Sequence, residues 1–431
     1  MKKQYFFGQL LIIGIAIFVF SCSKKDKFVQ PPPVNHTGNI KHKGADNYKI
    51  NMNDAVIYAE NFIYTHFENQ HTAIKKVDTF KIPIPDRILY LIQLEPSGYI
   101  LLSDDKRDIP VLAFSETNDM RYNSLDDLPN GPKQWISETL LLNHELEKNQ
   151  QSVVDNHILD EWNLYLSDTI TGNKMPPPED WDCHEYFTGH VYHEYNQARL
   201  STSWGQGPPY NLYTPICHHG ENAGEHKPTG CVATAMAQIM KFWEYPSDFN
   251  WGILHNSYSE YDTSSSAYEV ANLMIDIGNA IHTIYSCNGS SASNYFAKVA
   301  FKNRYNYSND IIKDNYSYQD VENELRWGRP VMLGGYATEH HWCGITWYTD
   351  GHSWVADGFR EDYDQYVREC EIGEPYGTTT ETFNRNYRYW MHMNWGWRGN
   401  ANGWYFSNEL THPHGSEDFK WRKDMIIKIH P

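Results

Sequence analysis

Residues 230–246 leave this chain few choices. Gly230 is followed by Cys231. Val232, Ala235, Met236, Ile239, Met240 and Trp243 then recur at helical spacing until Pro246 stops the pattern. The run is an apolar, helix-forming segment headed by a cysteine, and it belongs in a packed core. A thiol in the first turn of a helix sits at the positive end of the macrodipole, where negative charge is favoured. That placement favours the thiolate, the reactive form of cysteine. The segment therefore offers a sulfur nucleophile and raises the question of a base.

Histidine suits the base, because its ordinary pKa lies near neutrality. With 21 histidines in the chain, position has to select among them. His352 leads the apolar run Ser353-Trp354-Val355-Ala356 that ends in Asp357-Gly358, a setting in which an imidazole projects from the start of a strand into a cleft. In Trp390-Met391-His392-Met393-Asn394-Trp395-Gly396-Trp397, His392 and Asn394 fall on one strand face and Met393 and Trp395 on the other. Asn394 is the candidate to orient the imidazole and Trp395 the candidate to cover the pair. His392 is a rival base, better explained as a packed strand residue. An oxyanion needs donors. The Cys231 backbone N–H at the helix start is one, and Gln206 in Trp204-Gly205-Gln206-Gly207 is the second.

The N-terminus is a targeting segment. Lys2 and Lys3 precede an apolar run from Tyr5 to Phe20, closed by Val19-Phe20-Ser21-Cys22. This run is short for a membrane span, which takes about 20 apolar residues. Its closing cysteine resembles the lipobox of bacterial lipoproteins, which implies lipidation at Cys22 and a membrane-held protein, in the outer membrane or at the cell surface. Residues 23–45, with Pro31-Pro32-Pro33 and scattered Lys, read as a tether. The formal net charge of −18 argues against nucleic acid, which needs a clustered basic surface. Of seven cysteines, setting aside Cys22 and Cys231 leaves five, and no spacing assigns a pairing. The Cys217-His218-His219 and Glu225-His226 stretch holds metal-type ligands without regular spacing and reads as a solvated loop, so no metal or cofactor is expected.

Residues 46–165 form a small α+β unit. Its first helix starts near Asn53, with Asp54 as cap. Strands over 88–94 and 99–103 flank a Pro-Ser-Gly turn, a third covers 111–114, and a second helix spans 131–150. Residues 166–200, rich in Pro, Gly, charge and His, read as a linker and cleavage zone. The second domain, 201–431, opens with helices after Cys231 and over 266–286. It ends in strand-like runs at 330–333, 354–356, 390–395, 403–406 and 425–429.

Together these stretches resemble the streptopain family of papain-like bacterial cysteine proteases. The likeness lies in Trp204 to Asn211, Thr229 to Met240, Gly351 to Gly358, Asn394 to Trp397 and the strand Asp424 to Ile429. Gly98 to Arg107 resembles the family's inhibitory propeptide. The resemblance implies an α+β fold with two lobes, a helical one carrying Cys231 and an antiparallel sheet carrying His352, behind a propeptide-like domain. It also implies a zymogen, with its own propeptide as intramolecular inhibitor and protein or peptide as substrate. Cys231 is then nucleophile, His352 general base and acid, Gln206 part of the oxyanion hole, and Asn394 or Trp395 the group that orients the histidine. Two stretches depart from the family: the charged segment Arg360 to Arg388, and the loop Thr338 to Asp350. The competing readings are an inactive surface lipoprotein that binds peptide or glycan on the same fold, and a transferase using the same dyad.

Overall fold

The computed structural model describes residues 48–67, 71–148, 156–166, 174–175, 183–336, 338–342, 345–349, 351–373, 377–407 and 423–431. The targeting segment, the tether, Cys22 and Cys343 lie outside the described residues. Among the described residues, no helix is long and apolar enough to cross a membrane.

Helix α1 (Met52–His66) buries Ala55, Tyr58, Ala59, Phe62 and Ile63 along one stripe. Its cap is Asn51. The Asn51 Oδ1 accepts from the N–H groups of Asn53 and Asp54, and Asp54 Oδ2 accepts from the Asn51 N–H at 3.0 Å. Asp54, expected as the cap, is instead the second half of a capping box. Strands β1 (Ala73–Lys81), β2 (Ile88–Glu95), β3 (Tyr99–Ser103) and β4 (Val111–Ser115) form an antiparallel meander. Helices α2 (Asn130–Lys148) and α3 (Asn156–Tyr165) and strands β5 (Lys174–Met175) and β6 (Cys183–Asn196) follow.

The next segment is helical: α4 (Cys231–Trp243), α5 (Ser265–Ala280) and α6 (Asn294–Asn303). Strand β7 (Ile312–Asn315), helix α7 (Tyr318–Arg326) and strand β8 (Val331–Gly335) come next. They lead to the hairpin β9 (Thr338–Trp342) and β10 (Ile345–Thr349). Strands β11 (His352–Gly373), β12 (Gly377–Asn394), β13 (Gly403–Phe406) and β14 (Asp424–Ile427) end the chain. One antiparallel sheet runs β1-β2-β3-β4-β13-β12-β11-β8-β14-β7, with β6 added to β11 and β5 to β6. The fold is α+β, with a helical lobe carrying Cys231 and a sheet lobe carrying His352.

Two pairings lie beyond what the sequence predicts. The strands of the first unit do not close on themselves: β4 pairs with β13 through Ala113↔Tyr405 and Phe114↔Trp404, so each edge covers the other. And residues 183–196, placed in a linker by composition, form β6. It pairs with β11 from Asn196↔Phe359 to Cys183↔Cys370 and is cross-linked at that end by the Cys183–Cys370 disulfide. Its partner lies in the distant charged segment, to which no local signal connects it. A second disulfide joins Cys217 to Cys287, so that sulfur is not available as a metal ligand. The charged segment itself forms the long β11–β12 ribbon, with Arg360, Asp362, Asp364 and Arg388 all buried.

Candidate active site

Gly230 caps α4 with φ +90°, and a Cβ there would lie 3.2 Å from the Ser290 carbonyl oxygen, so glycine is required at the turn into the helix. Cys231 is the first residue of α4, and Val232 to Met240 are all buried. Val355 of β11 and Met332 of β8 pack into the same core, which draws the start of β11 against the start of α4. Cys231 and His352 consequently line one cleft of about 390 Å³ together with Asn294, Gly334, Gly335 and Ser353. Among the described residues Cys231 is the one free thiol.

Burial opposes the ionised sulfur expected at this helix start. It pushes the Cys231 thiol above its ordinary 9.0, against hydrogen bonds from Ser353 and from the backbone at 231–232 that act the other way. Burial also lowers His352 from 6.5 to about 4, only partly opposed by the hydrogen bond to Trp395. Thiol and imidazole are thus both neutral in this state. The imidazole Nε2 donates to the Trp395 carbonyl at 2.9 Å, and the ring stacks on Trp397 at 5.3 Å and 12°.

The orienting contact therefore comes from Trp395, through its backbone. Asn394 does not take that role here. Its Oδ1 accepts from Gln238 Nε2 at 3.1 Å and from the Gly396 N–H at 3.2 Å, and its Nδ2 donates to the Thr202 carbonyl at 2.7 Å. A buried amide so engaged braces α4, the 202 loop and the 394–396 turn against one another. His392 pairs with buried Asp357 at 2.7 Å, in keeping with a packed strand residue. Gln206 lines a neighbouring cleft of about 320 Å³ with Gly205, Gly207, Trp397 and Arg398. Its carbonyl accepts from the Thr229 N–H at 3.0 Å, which fixes the loop to the segment leading into Cys231.

Three residues that matter here carry no evident sequence signal. Ser353 holds Asn294 at 2.8 Å, and Asn294 holds Asp424 at 2.7 Å, so a hydrogen-bonded chain runs from the cleft to β14. Gly131, in the first turn of α2, lies directly on the site. A Cβ there would come within 2.6 Å of His352 Cδ2 and 2.4 Å of Trp395 Cε3. Helix α2 is held in place by Trp135, whose Nε1 donates to the Phe406 carbonyl at 2.9 Å, and by the Lys423–Glu138 ion pair.

Covering His352 in this way has a pH consequence. Exposed or unfolded, the imidazole takes up a proton as pH falls through about 6.5, whereas the covered ring does so only near pH 4. The covered state is thus fully stabilised above pH 6.5 and loses stability between pH 6.5 and 4, by at most about 3 kcal/mol. In urea unfolding of the uncut chain, His352→Gln should flatten this part of the pH dependence. An unchanged profile would remove His352 as its source.

Comparison with known proteins bears on the family and the fold. The model described as the Peptidase C10 family matches residues 204–249 and 247–405. Streptopain of Streptococcus pyogenes is 21% identical over 394 residues, covering 80% of this chain and 81% of that protein. The thiol protease/hemagglutinin PrtT of Porphyromonas gingivalis is 23% identical over 265 residues, 53% of this chain and 26% of that one. A fragment of Prevotella intermedia prointerpain A superposes with a TM-score of 0.53 at 19% identity. The match covers 83% of this chain and 99% of that one, and it establishes a shared fold.

Proposed function

For a chain that belongs to the peptidase C10 family of streptopain-like cysteine proteases, we propose the activity of an endopeptidase made as a zymogen. Cys231 attacks the scissile carbonyl, forming a thioester and releasing the amine leaving group, and water then hydrolyses the thioester. His352 takes the thiol proton and returns it to the leaving amine, and in the second step it draws a proton from the water. The Cys231 backbone N–H and the Gln206 amide are the assigned donors to the oxyanion. The observation that carries the reading is the single cleft lined by both Cys231 and His352.

Residues 46–165 are assigned as the inhibitory segment and residues 166–182 as the zone of cutting. Support comes from Gly131 resting on His352 and Trp395, where a substrate would need that imidazole free. Casein should be hydrolysed only after the chain is cut within residues 166–182 and the segment upstream of the cut is removed, with N-terminal sequencing placing the cut. An uncut chain as active as the cut one rules out the zymogen. Hydrolysis at no stage favours the inactive binding protein.

Lipidation at Cys22 and an outer-membrane or cell-surface position complete the proposal, on the strength of the charged, apolar and cysteine-closed pattern of residues 1–22. Metabolic labelling with a fatty acid should mark the wild-type chain and leave Cys22→Ser unlabelled. Equal labelling of both would refute this anchor.

A further inference from the structure

A second polar cluster is closed off from solvent where α1, β6 and β11 meet, apart from the cleft. His66 ends α1, His190 lies on β6 and Asp362 on β11, with side chains 0%, 4% and 0% exposed. The tautomer of His66 follows from its neighbours. Its Nδ1 lies 3.2 Å from the Phe62 carbonyl, which can only accept, and 2.7 Å from the Thr65 hydroxyl, whose own proton faces the carbonyls of Asn61 and Phe62. The proton of His66 therefore sits on Nδ1. That leaves Nε2 as a bare lone pair, buried without a hydrogen bond and facing Asp362 Oδ1 at 3.7 Å. His190 Nδ1 lies 3.0 Å from Asp364 Oδ1, which assigns its proton to the same ring position. Arg388 Nη2, 2.9 Å from that nitrogen, donates to Asp364 Oδ1 at 2.7 Å. His190 Nε2 then also faces Asp362 Oδ1, at 3.6 Å. Two imidazole lone pairs and a carboxylate oxygen, all within 4.8 Å of one another, repel unless a positive centre lies between them.

We propose that this cluster is a binding site for a zinc-type divalent cation, held by Nε2 of His66, Nε2 of His190 and Oδ1 of Asp362. Tetrahedral bonds of about 2.0–2.2 Å set ligand atoms roughly 3.4 Å apart, close to the two separations from Asp362. The surroundings are those of a supported site. One histidine Nδ1–H is held by a carbonyl and the other by a carboxylate, the arrangement that presents Nε2 to a metal. Asp362 is fixed by Arg388 Nε at 2.6 Å on Oδ1, and by Arg360 Nε at 3.2 Å and Trp390 Nε1 at 3.1 Å on Oδ2. Asp362, Asp364 and Glu161 face the guanidinium groups of Arg360 and Arg388; burial pushes the Glu161 carboxyl up to about 7, so an ion entering at pH 7.5, where Glu161 is mostly ionised, meets a net negative charge. Two imidazoles and one carboxylate suit zinc or cobalt(II); calcium and magnesium favour all-oxygen sets. The fourth position falls to water. The ion would staple α1 to the β6–β11 ribbon. With residues 46–165 read as the inhibitory segment, it would hold that segment on the protease, a consequence that rests on the proposed function while the binding itself does not.

The test uses the full chain carrying Cys231→Ala, which can neither cut itself nor bind zinc through that thiol. Equilibrium dialysis against zinc at pH 7.5 should find one tight equivalent. Adding His66→Gln should weaken it by at least about tenfold, whereas adding His226→Gln, in a distant loop, should not. An anomalous difference map at the zinc edge should place the ion between the three side chains, and it decides the matter even if His66→Gln fails to fold. Equal binding by a folded His66→Gln chain, or anomalous density only elsewhere, would overturn the site.

Discussion

Cys231→Ala lowers kcat/KM for peptide hydrolysis by about 10⁴-fold or more in the chain freed of its upstream segment, and His352→Ala does nearly the same. In the proposed mechanism the sulfur is the atom that forms the thioester, and no other described side chain lining the cleft offers a thiol. Without the imidazole, the thiol keeps its proton and the leaving amine departs unprotonated. Because both residues serve the same steps, the double variant should be scarcely slower than either single one; the two losses do not multiply. Cys231→Ala removes one side-chain atom from a half-buried residue, so stability should change by no more than about 1 kcal/mol, and urea unfolding separates folding from catalysis. Cleaving the upstream segment with an added protease allows variants that cannot cut themselves to be compared. Activity of Cys231→Ala within tenfold of wild type would end the cysteine-protease account of this chain.

Uncovering the cleft moves the alkylation profile of Cys231 from an inflection above pH 9 to lower pH. In the covered state the thiol sits above 9.0 and the imidazole near 4, so neither ionises at the other's expense. Freed of burial, the helix N-terminus and a protonated His352 favour the thiolate and bring the thiol pKa down. The thiolate fraction at pH 6 then rises. The more acidic thiolate is intrinsically less nucleophilic, but with a Brønsted slope of about 0.4–0.5 the gain in thiolate outweighs that loss, so iodoacetamide labelling at pH 6 should accelerate. In the uncut chain, Gly131→Val should produce part of this change, because its side chain cannot fit against His352 and Trp395 and must lift α2. Identical profiles before and after cutting would show that the upstream segment does not control the sulfur.

Much of the site is legible in the sequence because its signals are local. A glycine before a cysteine that heads an apolar run specifies the turn, the helix and the position of the thiol within a few residues. Strand periodicity likewise finds β2, β3, β4 and β13 within a residue or two of their ends. What composition misreads is β6: its His, Gly and charge look like a linker, yet strands of that kind form when the partner strand supplies the hydrogen bonds and buried counter-charges.

The amino-acid sequence alone determined that a helix would begin at a cysteine, that a histidine would begin a strand 121 residues later, and that an α+β unit would precede both. Each follows from the order of side chains along a short stretch. Tertiary packing decided the protonation states and the partners. The burial that holds Cys231 and His352 neutral, the Trp395 carbonyl that accepts the imidazole N–H in place of Asn394, and the Gly131 contact all come from segments far apart in the chain. A pKa is set by the dielectric and charges around a group in space, and those are absent from any local window of the sequence.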